Sequence, residues 1–244
     1  MPSDLNFFIS DASRSSIMGK NLNLNRDVVI PNGTSTDKFY PIFEKDRLRM
    51  KLGYDVGKMI IGYVGTIDYH KKMPLLIEAF ADLLKENLEA QLVILGDGPA
   101  LSDLVTEVAE LGIEKDVILK GWVAHEQINE HLNCFDIAVH HYASEYMNPL
   151  KIYEYLAAGL PVIAPDISSI RENFDVEKDL LTVKSSRVDL YKKLKLLVTN
   201  GALRNRLSAN ERLKSLLENT YTWENYSRGI VGQIIKKQNI LPVG

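Results

Sequence analysis

A lysine and a glutamate three residues apart are the side chains of this sequence whose types and spacing best suit chemistry. Lys151 and Glu154 fall in a short predicted helix, where they lie on the same face. A cation in the first turn opposes the helix dipole unless an anion such as phosphate shares the site. A carboxylate about 5 Å further along the axis can accept hydrogen bonds from ribose hydroxyls. An ordinary surface Lys–Glu pair has the same spacing, so the spacing alone leaves both interpretations open.

The sequence marks both ends of this helix. Asn148 is expected to be the N-cap, because its side-chain oxygen can accept a hydrogen bond from an unpaired amide of the first turn. Pro149 fits the first helical position, where its missing N–H costs nothing, and Leu150 follows it. Gly159 supplies the left-handed residue that ends the helix. The start of the helix is therefore a predicted anion site.

A second candidate lies earlier in the chain. The apolar run Met59–Gly65 is typical of a parallel strand covered on both faces, and it ends in a glycine. The following loop contains Lys71 and Lys72, and Pro74 then begins a helix. Strand, glycine, basic loop and helix N-terminus together predict a phosphate cradle. The Gly-x-Gly-x-x-Gly spacing of dinucleotide-binding proteins is absent.

Predicted strands and helices alternate from Met59 to Val183 at spacings that fit βα units. This alternation predicts an α/β protein, with a Rossmann-like parallel sheet and helices on both faces. Pro99 is expected to begin one of these helices. The loop Tyr142–Met147 follows a predicted strand, and open α/β sheets bind ligands at the carboxyl ends of their strands.

Composition narrows the class of partner. The 244 residues carry a net charge of −3, whereas a nucleic-acid-binding protein normally has a basic excess. The single cysteine, Cys134, excludes an internal disulfide and is compatible with a reducing cytosol. There is no apolar run of about 18 residues and no secretory signal pattern, so a cytoplasmic protein without a transmembrane segment is expected.

Neither a metal nor a cofactor is expected. His140 and His141 are adjacent on a predicted strand, so their side chains point to opposite faces and cannot easily share an ion. No other histidine, cysteine or acid has the spacing of metal ligands.

The stretch from Lys151 to Val162 resembles the signature of retaining GT-B glycosyltransferases of the group 1 type (family 4), which use nucleotide sugars as donors. Glu154 followed by Ala-Ala-Gly-Leu-Pro-Val matches the second half of that signature. The usual first Glu falls at Tyr146, and Glu145 stands one residue early. Some branches carry Pro-Leu-Lys-x-x-Glu-Tyr-Leu-Ala-x-Gly instead, and this chain resembles those.

The resemblance implies roles in the glycine loop, which in the family usually reads Gly-Arg and, a few residues later, Lys-Gly. Gly65 and Lys71 match this pattern, whereas Thr66 replaces the Arg and Lys72 replaces the Gly. Lys71 is therefore the implied cation for the diphosphate, and Glu154 is implied to hold the ribose. These two are the predicted catalytic residues, and Lys72 is expected only to be solvated.

Further donor-binding residues are implied in the same way. The turn Gly-Asp-Gly-Pro at Gly96 resembles the family, and Trp122 and Val123 follow the strand after which the family binds the nucleotide base. A packed aromatic is the alternative interpretation of Trp122, and Glu145 is either a sugar ligand or a surface acid. The predicted donor-binding set comprises Gly65, Thr66, Gly96, Trp122, Val123, Glu145, Asn148, Pro149, Leu150 and Lys151.

The resemblance also implies a division of the chain. Residues 1–27 would be a remnant of an N-terminal domain with its hinge, residues 28–220 the nucleotide-sugar-binding domain, and residues 221–244 a C-terminal crossover helix. Most of the N-terminal domain, which supplies acceptor contacts in the family, would be missing. Peripheral association with a membrane, if it occurs, would involve that domain.

The predicted function is the donor-binding part of a glycosyltransferase that moves a sugar from a nucleotide-diphosphate sugar to an unknown acceptor with retention. In the family the departing phosphate itself is described as taking the acceptor proton, so the protein positions groups and stabilises charge. The alternative is a nucleotide-sugar-binding module that is inactive without the missing domain or a partner subunit. A nucleotide-sugar epimerase is a third possibility, which the stretch from Lys151 to Val162 fits poorly.

Overall fold

The computed structural model of the chain describes residues 5–238. Its strands are β1 Asn6–Phe8, β2 Asp27–Val29, β3 Met59–Val64, β4 Ala90–Leu95, β5 Val117–Gly121, β6 Ile137–Val139, β7 Val162–Pro165 and β8 Leu181–Val183. Its helices are α1 Asp11–Met18, α2 Lys45–Leu52, α3 Met73–Leu84, α4 Leu101–Glu110, α5 Ile128–Leu132, α6 Leu150–Ala157, α7 Ser168–Asn173, α8 Arg187–Thr199, α9 Gly201–Ser208, α10 Glu211–Asn219 and α11 Trp223–Gln238. Within this part of the chain no helix has the length and apolar character needed to cross a membrane.

A six-stranded sheet in the order β5-β4-β3-β6-β7-β8 forms the centre, and all its neighbouring strands are parallel. Apolar side chains cover both of its faces. Phe135 and Ile152 belong to the cluster on one face, which includes residues of α6 and α10, and Phe80 and Leu194 bring α3 and α8 into the cluster on the other. The predicted Rossmann-like sheet with helices on both faces is confirmed.

The strand order reverses at β3. The chain proceeds from β3 outward to β4 and β5, and then returns to place β6 on the other side of β3. The pairing of β3 with β6 joins only Ile61 to Ile137 and Gly62 to Ala138, so the two strands part before their carboxyl ends. Such a reversal leaves a crevice at the carboxyl edge of the sheet, where open α/β proteins bind ligands.

The segment that follows β2 contacts the start of α11. Strands β1 and β2 form a separate parallel pair, and the amide of Thr34 donates to the carbonyl oxygen of Tyr221. A Cβ on Gly33 would lie 2.4 Å from the carbonyl carbon of Thr222, so this approach to the start of α11 requires a glycine. Strand β2 spans the predicted boundary at residues 27 and 28. The domain limits stay predictions, and residues 1–4 and 239–244 lie outside the described residues.

One predicted helix start is wrong by two residues. Pro99 lies before α4, which begins at Leu101. The amide of Ala100 donates to the carbonyl oxygen of Ile67, and this contact holds Ala100 in a turn outside the helix.

Candidate functional site

The N-terminus of α6 opens toward the crevice without a side-chain cap. The predicted cap, Asn148, is wrong, because the N-cap position belongs to Pro149 and the helix begins at Leu150. The Asn148 side chain is buried, where its Nδ2 donates to the carbonyl oxygen of Ile9 and its Oδ1 accepts from the Tyr153 hydroxyl. Asn148 thus anchors the loop to the N-terminal segment, and no side chain of residues 5–238 caps the first turn of α6.

Lys151 and Glu154 form an ion pair on α6, as their spacing predicts. The Lys151 Nζ lies 2.7 Å from the Glu154 Oε2, and the two side chains are 27% and 12% exposed. Within the described chain the other carboxylate oxygen of Glu154 makes no hydrogen bond. The pair therefore presents a cation at the helix N-terminus and a free acceptor one turn further on.

A cavity of about 290 Å³ lies at the carboxyl ends of β3, β4 and β5. Six of the predicted donor-binding residues line it, namely Gly65, Thr66, Gly96, Trp122, Val123 and Lys151. The remaining lining residues, which the sequence did not single out, are Val64, Leu95, Asp97, His125 and Ile128. Residues separated by up to 87 positions in the chain, from Val64 to Lys151, thus meet around one cavity.

Two glycines bring the turns after β3 and β4 into direct backbone contact. Gly96 has a φ of +150°, and a Cβ at this position would lie 1.8 Å from the carbonyl oxygen of Gly65. No other residue type fits this combination of φ and contact. The cavity wall here consists of backbone, which can approach a diphosphate more closely than side chains would allow.

Trp122 stands at the rim of the cavity. Its side chain is 75% exposed, so the alternative of a packed aromatic is wrong. The indole lies directly after β5, where the chain turns at Gly121 with a φ of +74°. An exposed indole beside a cavity is available to stack on a planar ligand.

Lys71 and Lys72 behave differently. Lys71 ends a 3-10 turn that begins at Tyr69. The residue is half-buried, and its ammonium forms no ion pair within residues 5–238. Lys71 does not line the cavity. Lys72, which was expected only to be solvated, places its Nζ 4.3 Å from the centroid of the Tyr142 ring and 3.1 Å from the Ser185 Oγ. Lys72 also has a φ of +51°, which explains why the resembling family usually has glycine at this position.

His140 and His141 are both buried, and His141 holds the basic loop through a hydrogen bond. The His141 Nε2 lies 3.0 Å from the carbonyl oxygen of Lys72, and burial lowers the pKa of His141 to about 4. The ring is therefore neutral near pH 7 and donates through Nε2. Burial also lowers the pKa of His140 to about 3, and the charges of Lys71 and Lys151 add to this shift. The charges of both lysines thus act on the same histidine.

The described residues show no group of three or more histidine, cysteine or acidic side chains placed to hold a metal ion.

Glu145 is engaged elsewhere, because its carboxylate accepts hydrogen bonds from the amide and the hydroxyl of Ser168 at the start of α7. These hydrogen bonds lower the pKa of Glu145. In this structure Glu145 caps a helix, and it does not line the cavity.

A larger cavity, of about 580 Å³, lies at the other end of α6. Its apolar lining includes Phe39, Leu156, Leu213 and Leu217. None of the predicted catalytic or donor-binding residues reaches it. Glu154, Asn148, Pro149 and Leu150 do not line the smaller cavity either. We assign the candidate site to the smaller cavity, because Lys151 of the first turn of α6 and the glycine turns after β3 and β4 line it.

Residues 44–214 match the protein family described as Glycosyl transferases group 1. The chain is 36% identical over 140 residues to the alpha-monoglucosyldiacylglycerol synthase of Streptococcus pneumoniae (strain ATCC BAA-255 / R6), over 56% of this chain and 32% of that protein. It is 30% identical over 190 residues to the UDP-Gal:alpha-D-GlcNAc-diphosphoundecaprenol alpha-1,3-galactosyltransferase of Escherichia coli, over 76% of this chain and 48% of that protein. The matched part is thus less than half the length of these relatives.

Solved structures share the fold. HepE of Anabaena, crystallised with UDP and glucose, superposes with a TM-score of 0.85 at 16% identity, over 96% of this chain and 64% of that one. The C-terminal domain of a glycosyl transferase group 1 family protein (LpcC) from Francisella tularensis has a TM-score of 0.69 at 24% identity. That similarity covers 78% of this chain and 100% of the other.

Proposed function

The chain belongs to the glycosyl transferases group 1 family and has the Rossmann-like α/β fold of GT-B glycosyltransferases, and from this premise we propose that it binds a nucleotide-diphosphate sugar at the crevice between β3 and β6. One observation carries the proposal. Lys151, which lies in the uncapped first turn of α6 and pairs with Glu154, lines a cavity whose wall includes the backbone turns at Gly65 and Gly96. A cation, free helix amides and accessible backbone together suit a diphosphate.

The diphosphate is proposed to bind between Lys151 and Lys71. Lys151 lines the cavity, and Lys71 is close enough for its charge to act on His140, with an ammonium that forms no ion pair with any described residue. As the bond from the sugar to the diphosphate breaks, negative charge accumulates on the departing phosphate. Two lysines and a helix N-terminus fixed in advance stabilise that charge without having to reorganise. Thr66, which stands where the resembling family usually has an arginine, contributes no charge, so in this proposal the two lysines supply the cations.

Glu154 is proposed to hold the ribose and Trp122 to border the base. The free Oε1 of Glu154 can accept a hydrogen bond from a ribose hydroxyl while Oε2 remains with Lys151. Trp122 and Val123 line the end of the cavity next to β5, where a base can stack on the exposed indole. The donor would then extend from Trp122 to the start of α6.

The proposed reaction is transfer of the sugar with retention at its anomeric carbon. The bond between this carbon and the diphosphate oxygen breaks, the acceptor oxygen bonds to the same face, and the acceptor proton passes to the departing phosphate. The proposal includes no side-chain nucleophile, metal or cofactor, so the protein acts through position and charge. Turnover is proposed for the whole protein, since the acceptor contacts of the family come from a domain outside the matched region.

Calorimetric titration of the chain with UDP, GDP and ADP tests the proposal, and UDP comes first because HepE was crystallised with it. We expect saturable binding of one nucleotide, with the diphosphate binding more tightly than its nucleoside. Absence of binding at millimolar ligand by a folded chain would contradict the proposal. Adding the matching nucleotide sugar and following its cleavage then separates an active chain from the alternative, a binding module that is inactive alone.

A further inference from the structure

Tyr155 is a fully buried residue of α6 that contacts the end of β3. Its hydroxyl accepts a hydrogen bond from the amide of Val64 at 2.8 Å and donates one to the carbonyl oxygen of the same residue at 3.1 Å. Val64 is the last residue of β3, and Gly65 and Thr66 of the cavity wall follow it directly. Tyr155 itself follows Glu154 and lies one turn after Lys151. A single hydroxyl therefore joins the two halves of the proposed donor site.

The peptide groups of Val64 need this partner because of the reversed strand order. In a parallel sheet the amide and the carbonyl of one residue point to the same neighbouring strand. On β3, Ile60 bonds to Asp136 on the β6 side, whereas Gly65 bonds to Leu95 on the β4 side. Val64 is an even number of residues from Ile60, so its groups face β6, whose pairing with β3 has already ended at Gly62. The Tyr155 hydroxyl takes the place of the missing strand.

We propose that Tyr155 is a positioning residue of the donor site, which fixes the N-terminus of α6 at the distance from the glycine turn that a bound diphosphate requires. The inference rests on the proposed function. Tyr155 does not line the cavity, so it acts through the elements that it joins. Burial raises the pKa of Tyr155 well above its usual value, which keeps the hydroxyl protonated and able to donate and accept at once.

The test compares Tyr155→Phe with Tyr54→Phe. Both variants remove one hydrogen-bonded hydroxyl from a buried tyrosine, but the Tyr54 hydroxyl bonds to His131, which is not part of the site. We expect Tyr155→Phe to weaken UDP binding by about three- to tenfold, the range for one net hydrogen bond. Uridine affinity should change less than about twofold, because only the diphosphate spans both elements. Tyr54→Phe should leave both affinities unchanged.

A second measurement does not depend on any ligand. Hydrogen exchange at the Val64 amide should become faster in Tyr155→Phe and remain unchanged in Tyr54→Phe. Combining Tyr155→Phe with Lys151→Met should weaken UDP binding by less than the sum of the two separate effects, because Tyr155 acts through the position of Lys151.

The outcomes separate the two proposals. Suppose that the wild-type chain binds UDP and that Tyr155→Phe has the same ratio of UDP to uridine affinity. This result would overturn the positioning role and leave the proposed function standing. Equal exchange at Val64 in all three proteins would refute the hydrogen bonds themselves. Failure of the wild-type chain to bind UDP, GDP or ADP would refute the proposed function and the positioning role together.

Discussion

The two ends of α6 border two cavities that differ in size and in character. The cavity at its C-terminal end has a volume of about 580 Å³ and is lined by Phe39, Leu213 and Leu217 together with the charged residues Lys214 and Glu218. The one at its N-terminal end has about 290 Å³, and its lining includes two glycine turns, Lys151 and an exposed indole. The helix dipole favours an anion only at the N-terminal end. The orientation of one helix and the order of the strands therefore identify the candidate site better than volume does.

The largest expected effect is a loss of stability, which compares Gly96 at the smaller cavity with Gly159 at the larger one. Gly96→Ala should destabilise the chain by about 3 kcal/mol or more, because a Cβ would meet the carbonyl oxygen of Gly65 in a region of φ that side chains avoid. Gly159→Ala, beside the larger cavity, should cost about 1–2 kcal/mol for its φ of +75°. Chemical denaturation measures both values. Equal losses would show that the backbone contact between the two turns is unimportant.

The next largest expected effect is the loss of UDP affinity when the Lys151 ammonium is removed. Lys151→Met should weaken UDP binding by about 1.5–3 kcal/mol, because the ammonium is a charged partner of the diphosphate. Lys214→Met, at the rim of the larger cavity, is the matched control and should leave the affinity unchanged. Titration calorimetry gives both constants, and a similar loss in the two variants would remove the distinction between the cavities.

Removing the Glu154 carboxylate should weaken the binding of nucleoside and nucleotide by similar amounts. Glu154→Ala should weaken both UDP and uridine by about 1–3 kcal/mol, since the ribose is common to both ligands. Glu218→Ala, which removes a carboxylate at the larger cavity, is the matched control. If a folded Glu154→Ala variant keeps its affinity for uridine, Glu154 does not bind the ribose.

The smallest effect is expected at Lys71, which is half-buried and lies outside the cavity. Lys71→Ala should weaken UDP by about 0.5–1.5 kcal/mol and uridine by less, because only the diphosphate carries the charge that the ammonium meets. Competition between UDP and uridine gives the ratio of their two affinities directly. Equal weakening of UDP and uridine would contradict a phosphate role for Lys71.

Local patterns in the sequence predicted the fold, and a family resemblance supplied most of the cavity-lining residues that were predicted. The alternation of strands and helices gave the parallel sheet, and the three-residue spacing of Lys151 and Glu154 gave their ion pair. Gly96 and Trp122 were placed through a family resemblance, and both line the cavity. These features depend on neighbours in the chain or on short motifs, which a sequence displays directly.

The contacts that the sequence did not predict join distant segments. Asn148 bonds to Ile9, which is 139 positions away, and therefore does not cap α6. The Tyr155 hydroxyl bonds to Val64 across 91 positions, because β6 diverges from β3. The Glu145 carboxylate accepts a hydrogen bond from Ser168, 23 positions away, at the start of α7. No residue near Glu145 in the sequence indicates that a helix begins there. Such contacts arise from the packing of whole elements and leave no periodic pattern in the sequence.

Amide chemical shifts can show which of the two cavities binds UDP, since the spectrum of the labelled chain reports on both cavities at once. We expect saturating UDP to shift the amides of residues 64–66, 96–97, 122–123 and 150–151, around the smaller cavity. Residues 39–43 and 207–217 at the larger cavity should stay unchanged. Shifts concentrated at the larger cavity, with none at Gly65, Gly96 or Lys151, would contradict the assignment of the donor site.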